Sequence, residues 1–233
     1  MLSVTNLHAY YGRAHILQGV SLEAKAGEVV ALLGRNGAGK STTMKAIMGL
    51  VPPAGGEVSF EGQRIDGLAS HHIARLGLGY VPEDRRIFTE LTVMENLEVG
   101  RQAAREGLSA WTETRLFSLF PNLARMRERP GGRMSGGEQQ MLTIARTLMG
   151  NPRCVLLDEP SEGLAPIIVE QMAHSIRALK AEGLSVLLSE QNLQFSRAVA
   201  DRAYIIEKGQ IRFGGSMAEL AADASLREQY LSV

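Results

Sequence analysis

The early part of the chain carries two hydrophobic patterns that both predict strands. Residues 2–11 and 15–24 alternate apolar and polar side chains, which is typical of strands with one buried face. Residues 28–34, EVVALLG, are almost continuously apolar and predict a strand buried on both faces. Residues 57–62 and 78–83 predict two further strands.

Helical patterns and strands alternate through the rest of the chain. Helices are predicted at residues 40–50, 92–100, 111–120, 136–150, 166–182 and 192–200, and strands at 153–159, 184–190 and 202–211. The last segment, 216–233, predicts one or two short helices. This alternation predicts an α/β fold with a mostly parallel sheet covered on both faces, and the helical block in the middle of the chain is expected to be an inserted subdomain.

Composition narrows the class of protein. A chain of 233 residues suits one α/β domain, and 25 Lys plus Arg against 25 Asp plus Glu leave no net charge that would favour a nucleic-acid partner. The single cysteine, Cys154, excludes an internal disulfide and fits a reducing compartment. No secretion signal is visible at the start, and no apolar run approaches the roughly 20 residues that span a bilayer. We therefore expect a soluble protein that reaches a membrane only through a partner.

Residues 34–42, GRNGAGKST, match the G-x-x-x-x-G-K-[ST] pattern of a phosphate-binding loop between a strand and a helix. Glycines let backbone N–H groups turn toward phosphate oxygens, and the helix directs its positive end at them. Lys40 can reach the β- and γ-phosphates, and the Ser41 hydroxyl can bind Mg²⁺. A Gly-rich turn without a ligand is the alternative. The predicted nucleotide-binding residues are Gly34, Asn36, Gly37, Gly39, Lys40, Ser41 and Thr42.

Two acidic residues follow the apolar run CVLL. Asp158 lies at the predicted carboxyl end of a strand, the edge at which α/β sheets bind ligands, and we expect it to hold Mg²⁺ directly or through water. Glu159 is placed to polarise an attacking water. Without the phosphate loop, a solvated acidic turn would be the better explanation of these two residues.

The segment MSGGEQQ, residues 134–140, begins a predicted helix with Ser135, Gly136 and Gly137. Such a helix start offers a hydroxyl and free N–H groups to an anion, although an ordinary serine N-cap has the same composition. The segment resembles the signature sequence LSGGQ of ABC ATPases, with Met134 and Glu138 in place of Leu and Gln. Its position between the phosphate loop and Asp158 favours the signature interpretation.

Nearly the whole chain resembles the ATP-binding subunits of branched-chain amino acid ABC importers, of the LivF type. The resemblance rests on the strings VPEDRRIF, LTVMENL, SGGEQQML, LLDEPSEGLAP and SEQN, whereas composition and spacing by themselves give only a P-loop ATPase. It implies one ABC ATPase domain over 1–233, with a P-loop NTPase core, an antiparallel β subdomain and an inserted helical subdomain. The implied parts are the nucleotide-binding core at 1–85 and 151–215, the helical subdomain at 86–150 and a C-terminal helical tail at 216–233.

The resemblance also implies an activity, cofactors and partners. The chain is expected to hydrolyse ATP with Mg²⁺ in a head-to-tail pair, each ATP lying between Lys40 of one chain and Ser135 of the other. The pair consists of two copies of this chain or of this chain with a G-type ATPase subunit, and the resemblance favours the mixed pair. The movement is expected to pass to membrane permease subunits at the cytoplasmic face, and indirectly to a periplasmic or extracellular solute-binding protein. Arg85, Arg86 and Phe88 are candidates for the permease contact.

Several single residues take their expected roles from the resemblance, and some depart from the wider family. Tyr11 matches the aromatic residue that stacks on adenine. Glu83 stands where a glutamine offers Mg²⁺ a neutral oxygen, and Gln191 replaces a histidine that contacts the γ-phosphate while keeping a donor NH₂ group. Ala165 replaces an aspartate of the D-loop. The implied catalytic residues are Glu159 and Gln191, and the implied metal ligands are Ser41, Glu83 and Asp158.

Three other functions stay open on the sequence alone. A soluble ABC protein of DNA repair or translation usually has a coiled-coil insertion or a second cassette, neither of which occurs in this sequence. A nucleotide-binding switch that does not hydrolyse ATP is opposed by Glu159 and favoured by Glu83 and Gln191. The third is an exporter cassette, although such cassettes are often fused to membrane spans and no such span is predicted in this sequence. The solute itself stays open, since specificity lies in the permease and the solute-binding protein.

Overall fold

The computed structural model of the chain describes residues 1–230, in which the strands form one six-stranded and one four-stranded sheet. The strands are β1 (Leu2–Tyr11), β2 (Ala14–Ala24), β3 (Val29–Leu33), β4 (Gly55–Phe60), β5 (Gln63–Arg64), β6 (Leu78–Val81), β7 (Cys154–Asp158), β8 (Ser185–Glu190), β9 (Arg202–Glu207) and β10 (Gln210–Ser216). The larger sheet, β10-β9-β3-β8-β7-β6, is parallel except for its edge strand β10. The smaller sheet, β2-β1-β4-β5, is antiparallel. The predicted combination of a mostly parallel core and an antiparallel part is confirmed.

Helices pack against the larger sheet and occupy the connection between two of its strands. They are α1 (Lys40–Ile47), α2 (Ser70–Leu76), α3 (Val93–Gly100), α4 (Glu113–Leu119), α5 (Pro121–Ala124), α6 (Gly136–Leu148), α7 (Pro166–Ala181), α8 (Leu193–Val199), α9 (Met217–Ala222) and α10 (Ala224–Tyr230). Because β6 and β7 are neighbours in the sheet, α3 to α6 form one long crossover between them. Over residues 1–230, no helix is both long and apolar enough to cross a bilayer.

The larger sheet separates two hydrophobic cores because successive side chains of each strand point to opposite faces. Val29, Ala31 and Leu33 of β3 belong to the core formed with the crossover helices and α7. Val30 and Leu32 belong to the core shared with α1, α2 and the antiparallel sheet. All residues of β3 are buried, as its apolar run predicted. Because β3 is an inner strand of the larger sheet, the loop between β3 and α1 also begins near the centre of that sheet.

Capping boxes define the starts of two crossover helices. At α3, the Thr92 hydroxyl accepts a hydrogen bond from the Glu95 N–H, and the Glu95 carboxylate accepts one from the Thr92 N–H. At α6, Ser135 and Glu138 form the same reciprocal pair. Each box satisfies two N–H groups that a helix otherwise leaves unpaired at its start. The signature segment thus begins a helix, as the sequence predicted.

Parts of the secondary structure differ from the prediction. Residues 202–211 form not one strand but β9 and the start of β10, joined by a tight turn at Lys208 and Gly209 with φ angles of 47° and 75°. Such a turn is typical of hairpins, but Lys-Gly is a weaker signal for it than Asn-Gly. No helix was expected at α2, where Ile73 is the buried residue, since one buried position gives no apolar period. The predicted tail forms α9 and α10, and its positions 231–233 lie outside the described residues.

Candidate functional site

The loop between β3 and α1 is shaped to surround an anion. Gly37 and Gly39 have φ angles of 78° and 114°, which other residues adopt only with strain. A side chain at Gly34 would come within 2.5 Å of the Ile206 carbonyl oxygen. Within the described chain, no side chain caps α1 and no acidic residue lies in its first turn, so its N–H groups stay available. The predicted residues of this loop and first turn are Gly34, Asn36, Gly37, Gly39, Lys40, Ser41 and Thr42.

The Lys40 ammonium is folded back against this loop. Its Nζ donates hydrogen bonds to the carbonyl oxygens of Gly34 at 2.8 Å and Arg35 at 3.2 Å. It also forms a 2.9 Å ion pair with Oε1 of Glu159, and the two side chains are only 3% and 5% exposed. Removing one partner of such a buried pair leaves an uncompensated charge, which is strongly destabilising. Lys40 therefore needs an anion at this position, and Glu159 is that anion in the free chain.

The Asp158 carboxylate is fixed from three directions at the end of β7. Ser41 Oγ donates to its Oδ1 at 2.9 Å, Ser189 Oγ donates to the same oxygen at 2.6 Å, and the Tyr80 hydroxyl donates to Oδ2 at 3.1 Å. Burial and the charge of Asp158 raise the pKa of Tyr80 far above its usual value, so Tyr80 stays a donor. The carboxylate is thereby held beside the first turn of α1.

Glu159 has a strained backbone and a fully engaged side chain. Its φ angle is 48°, a conformation that non-glycine residues rarely adopt, and its N–H donates to the Ser189 hydroxyl at 3.1 Å. Gln191 Nε2 donates to Glu159 Oε2 at 3.0 Å and to Asn36 Oδ1 at 2.7 Å. The residues expected to be catalytic, Glu159 and Gln191, therefore lie together against the phosphate loop.

A second carboxyl group, that of Glu162, hydrogen-bonds the Glu159 side chain. Burial alone would raise the pKa of Glu159, but the hydrogen bonds from Glu162, Gln191 and Lys40 outweigh it and lower that pKa. The same contact with Glu159, aided by burial and neighbouring carboxylates, raises the pKa of Glu162 to about 7. Glu162 is therefore about half protonated near pH 7, and its protonated form donates a hydrogen bond to Glu159.

The signature residues lie on the crossover, away from their own phosphate loop. Ser135 accepts from the Glu138 N–H at 3.4 Å, and its own N–H donates to the Glu138 carboxylate at 2.7 Å. A side chain at Gly137 would lie 2.7 Å from Ile168 of α7, so glycine is needed for this close packing. Among residues 1–230, no hydrogen bond or ion pair joins Ser135, Gly136 or Gly137 to residues 34–42.

Three residues singled out in the sequence stand apart from this cluster. Tyr11 ends β1 and is 50% exposed. Glu83 follows β6; within the described part of the chain its carboxylate has no hydrogen bond or ion pair, although its charge contributes to the raised pKa of Glu162. Ala165 precedes the first residue of α7. The free chain therefore assembles the surroundings of Lys40 and Asp158 but does not bring Tyr11 or Glu83 to them.

The donor set at Ser41 and Asp158 fits Mg²⁺. Among the described residues, no three His, Cys, Asp or Glu side chains are grouped so that they could hold a metal ion by themselves. Ser41 Oγ and Asp158 Oδ1, 2.9 Å apart, are two hard oxygen ligands beside the phosphate loop. Mg²⁺ is usually held by one or two such oxygens together with substrate phosphates and water. The site therefore suits an ion that arrives with a phosphate compound.

Three residues of this site were not predicted from the sequence: Ser189, Tyr80 and Glu162. Ser189 lies opposite Asp158 in the parallel register of β7 and β8, and a buried serine at the end of the apolar run VLLSE is a signal that could have found it. Tyr80 reaches Asp158 across 78 residues of chain, and no local pattern indicates that contact. No sequence pattern distinguishes Glu162 from the other residues of the loop before α7.

The fold and this site define an α/β ATPase with a phosphate loop. The sequence profile of the ABC transporter family matches residues 17–162, and the chain belongs to that family. It is an ATP-binding subunit whose ATPase activity is coupled to transport. The resemblance found in the sequence is thus confirmed.

Individual relatives are similar over the full length of the chain. The chain is 44% identical over 231 residues to the high-affinity branched-chain amino acid transport ATP-binding protein BraG of Pseudomonas aeruginosa, covering 99% of both. It is 37% identical over 233 residues to the lipopolysaccharide export system ATP-binding protein LptB of Escherichia coli K12, covering 99% of this chain and 96% of LptB. Among solved structures, a nucleotide-free ATP-binding cassette from an ABC transporter superposes with a TM-score of 0.83 at 27% identity, covering 98% of this chain and 97% of that one.

Proposed function

We propose that this chain hydrolyses ATP to drive an importer of branched-chain amino acids or related small polar solutes, through a separate membrane permease. One observation carries the proposal: Lys40, Ser41, Asp158 and Glu159 meet at the carboxyl ends of β3 and β7. These are the residue types that bind a nucleoside triphosphate, its metal ion and an attacking water. The likeness to BraG along the whole chain supports the choice of solute.

In this proposal the phosphates of ATP bind to the N–H groups of the phosphate loop. Lys40 exchanges the Glu159 carboxylate for oxygens of the β- and γ-phosphates. Ser41 and Asp158 hold Mg²⁺, with Glu83 as an additional ligand, and the ion neutralises charge on the phosphates when it is bound. Tyr11 stacks on the adenine ring.

Hydrolysis then depends on the freed Glu159 carboxylate. Once Lys40 has turned to the phosphates, Glu159 can accept a proton from the attacking water. Gln191 keeps the carboxylate oriented through its 3.0 Å hydrogen bond and connects it to Asn36 of the loop. Because a glutamine side chain does not titrate, this position adds no pKa near neutrality to the rate profile.

The active unit in this proposal is a head-to-tail pair, formed with a second copy or with a related ATPase subunit. Ser135, Gly136 and Gly137 of one chain bind the γ-phosphate of the ATP held by Lys40 of the other. Within the described part of one chain, no hydrogen bond or ion pair joins these two groups, which supports the arrangement. Hydrolysis removes the bridging phosphate and lets the pair open, so ATP acts as a switch between two states.

The pair is proposed to transmit its movement to permease subunits, which places the chain on the cytoplasmic face of a membrane. A groove of about 650 Å³ lies between the proposed nucleotide-binding core, residues 1–85 and 151–215, and the proposed helical subdomain, residues 86–150. Leu50, Phe88 and Val99 line it and are 48%, 46% and 54% exposed. Exposed apolar side chains in a groove suit a helix of a membrane subunit. A solute-binding protein would act only indirectly, and no nucleic acid is needed.

The likeness to LptB favours a second candidate, an ATPase subunit of an exporter. The site residues serve either direction of transport, because ATP hydrolysis itself does not set the direction. Uptake of labelled leucine into vesicles that carry the chain and its permease distinguishes the two. ATP-dependent uptake supports the importer, and ATP-dependent extrusion without uptake supports the exporter.

ATP hydrolysis as a function of protein concentration tests the core of the proposal, with Glu159→Gln beside the wild type. Turnover per chain should rise with concentration, because the active unit is a pair, and the variant should lose about 100-fold or more of the rate. ATP binding by the variant is the control for folding. A variant that hydrolyses ATP at the wild-type rate would contradict the role given to Glu159.

A further inference from the structure

Arg85 sits in a strained turn whose backbone is fixed to the signature helix. Arg85 and the next residue, Arg86, have φ angles of 62° and 49°, two consecutive left-handed conformations that non-glycine residues rarely adopt. The Thr143 hydroxyl donates to the Arg85 carbonyl oxygen at 2.9 Å, and Arg146 donates to that of Arg86 at 2.7 Å. Thr143 and Arg146 both belong to α6, so this helix holds the turn in place.

The turn places the Arg85 guanidinium against the first residue of α6. A side chain built at Gly136 would lie 2.8 Å from one terminal nitrogen of Arg85 and 3.3 Å from the other. Within residues 1–230, the half-buried guanidinium has no hydrogen bond and no ion pair. Arg86, in the same turn, is exposed and pairs with Asp84 at 2.9 Å. The two arginines are neighbours with the same charge and a similar backbone conformation, but only the Arg86 side chain has an ion-pair partner among the described residues.

The position of Arg85 is electrostatically unfavourable in the free chain. A helix N-terminus carries a partial positive charge, so a cation beside it is repelled and an anion is attracted. The nearest acid of this helix start, Glu138, uses its carboxylate to accept from the Ser135 N–H at 2.7 Å. A guanidinium that lies against Gly136 at this helix start becomes favourable when an anion binds there.

We propose that Arg85 is a further ligand of the γ-phosphate of the ATP bound by the other member of the pair. The inference rests on the proposed head-to-tail pairing, in which Ser135 and Gly137 already face that phosphate. Arg85 adds a permanent cation to this helix start, and guanidinium pairs with phosphate oxygens in bidentate geometry. ADP has no γ-phosphate, so Arg85 strengthens pairing in the presence of ATP and not of ADP.

The test compares Arg85→Ala with Arg86→Ala, each in the Glu159→Gln background that retains ATP. Both substitutions remove one arginine from the same turn at a left-handed position, so Arg86→Ala is a matched control for charge and backbone strain. Sedimentation velocity with ATP and Mg²⁺ gives the protein concentration at which half of the chains are paired. Arg85→Ala should raise that concentration roughly tenfold or more, Arg85→Lys should raise it less, and Arg86→Ala should leave it unchanged.

A second measurement separates this role from a structural one. ATP and ADP affinities of the unpaired chain, measured well below the pairing concentration, should be the same in all variants, because Arg85 acts on the partner's nucleotide. The inference is overturned if Arg85→Ala pairs at the same protein concentration as its parent, the Glu159→Gln variant. It is also overturned if Arg86→Ala weakens pairing as much as Arg85→Ala does. A parent that stays unpaired with ATP at every concentration contradicts the proposed pairing of this chain with itself, and the inference fails with it.

Discussion

At the scale of single residues, the charged and polar side chains of the site are hydrogen-bonded or ion-paired with one another. The Lys40 ammonium pairs with one oxygen of Glu159, Gln191 donates to the other oxygen, and protonated Glu162 donates a hydrogen bond to the same carboxylate. Substitutions here should therefore change stability as well as activity, and the two effects can be separated by pH.

Glu162→Gln tests the shared proton. The pKa of Glu162 is raised to about 7 from 4.5, so its contribution to stability is complete below pH 4.5 and is lost as the pH rises through 7. Glutamine donates to Glu159 at every pH. The melting temperature of the variant relative to that of the wild type should therefore rise from pH 5 to pH 8. Solvent screening keeps the corresponding difference in the free energy of unfolding to about 1 kcal/mol or less.

The control for this titration is Glu128→Gln, because Glu128 is exposed and has no hydrogen bond or ion pair with a described residue. Its melting temperature should follow that of the wild type across the same range. The lowered pKa of Glu159 acts in a separate window, since its stabilisation is lost only as the pH falls below 4.5. A Glu162→Gln difference that is constant from pH 5 to 8 would contradict the shared proton.

At the scale of elements, identical helix starts have different proposed roles. The capping boxes of α3 and α6 are built alike, from Thr92 with Glu95 and from Ser135 with Glu138. Their contribution to stability should be alike too. Only the α6 box lies in the segment proposed to bind the nucleotide of another chain, so the pair of helices allows folding and function to be separated.

Ser135→Ala and Thr92→Ala should each lower the free energy of unfolding by about 0.5–2 kcal/mol, because each removes one N-cap. ATP turnover at pairing concentrations should fall at least tenfold in Ser135→Ala and stay close to wild type in Thr92→Ala. Urea unfolding and ATPase assays on both variants check the two parts. Similar turnover in both variants would mean that Ser135 is only a cap.

The sequence predicted those elements whose determinants are local. The buried strand β3 and the helix α1 follow from an apolar run and a nine-residue motif, and the start of α6 follows from Ser135 and Glu138. The β9–β10 hairpin was read as one strand because Lys208-Gly209 is a weak turn signal. The contact of Ser189 with Asp158 joins residues 31 apart, and that of Gln191 with Asn36 joins residues 155 apart. Such contacts depend on strand order and register, which no local pattern contains.

At the scale of the whole molecule, one glycine connects both sheets and the phosphate loop. The Gly209 carbonyl accepts from the Gln18 N–H of the antiparallel sheet at 2.8 Å, and the Gly209 N–H donates to the Ala38 carbonyl of the loop at 2.8 Å. Its Cα packs so closely that a Cβ there would lie 1.9 Å from the Ile16 carbonyl oxygen. The turn between β9 and β10 thus joins three parts of the fold.

Gly209→Ala should be among the most destabilising single substitutions in the chain, by about 3 kcal/mol or more, because it adds overpacking to a left-handed φ. Gly62→Ala is the matched control: Gly62 has a φ of 77° and nothing within 4 Å of a built Cβ. That variant should lose only about 1 kcal/mol from backbone strain. Chemical denaturation measures the free energy of unfolding of both variants. An equal loss in the two would show that the left-handed backbone, and not the close packing at the junction, accounts for the cost of a side chain at position 209.

The buried pair of Lys40 and Glu159 has a consequence for which anions the idle subunit admits. The carboxylate is tethered to the same molecule, so a competing anion meets a resident ligand of very high effective concentration. Inorganic phosphate or sulfate offers one group against that resident and should be turned away at ordinary cellular levels. A triphosphate engages the loop N–H groups and the helix start together, and so displaces Glu159. The pair of Lys40 and Glu159 should thereby select ligands by the number of phosphates they carry, before any recognition of the base.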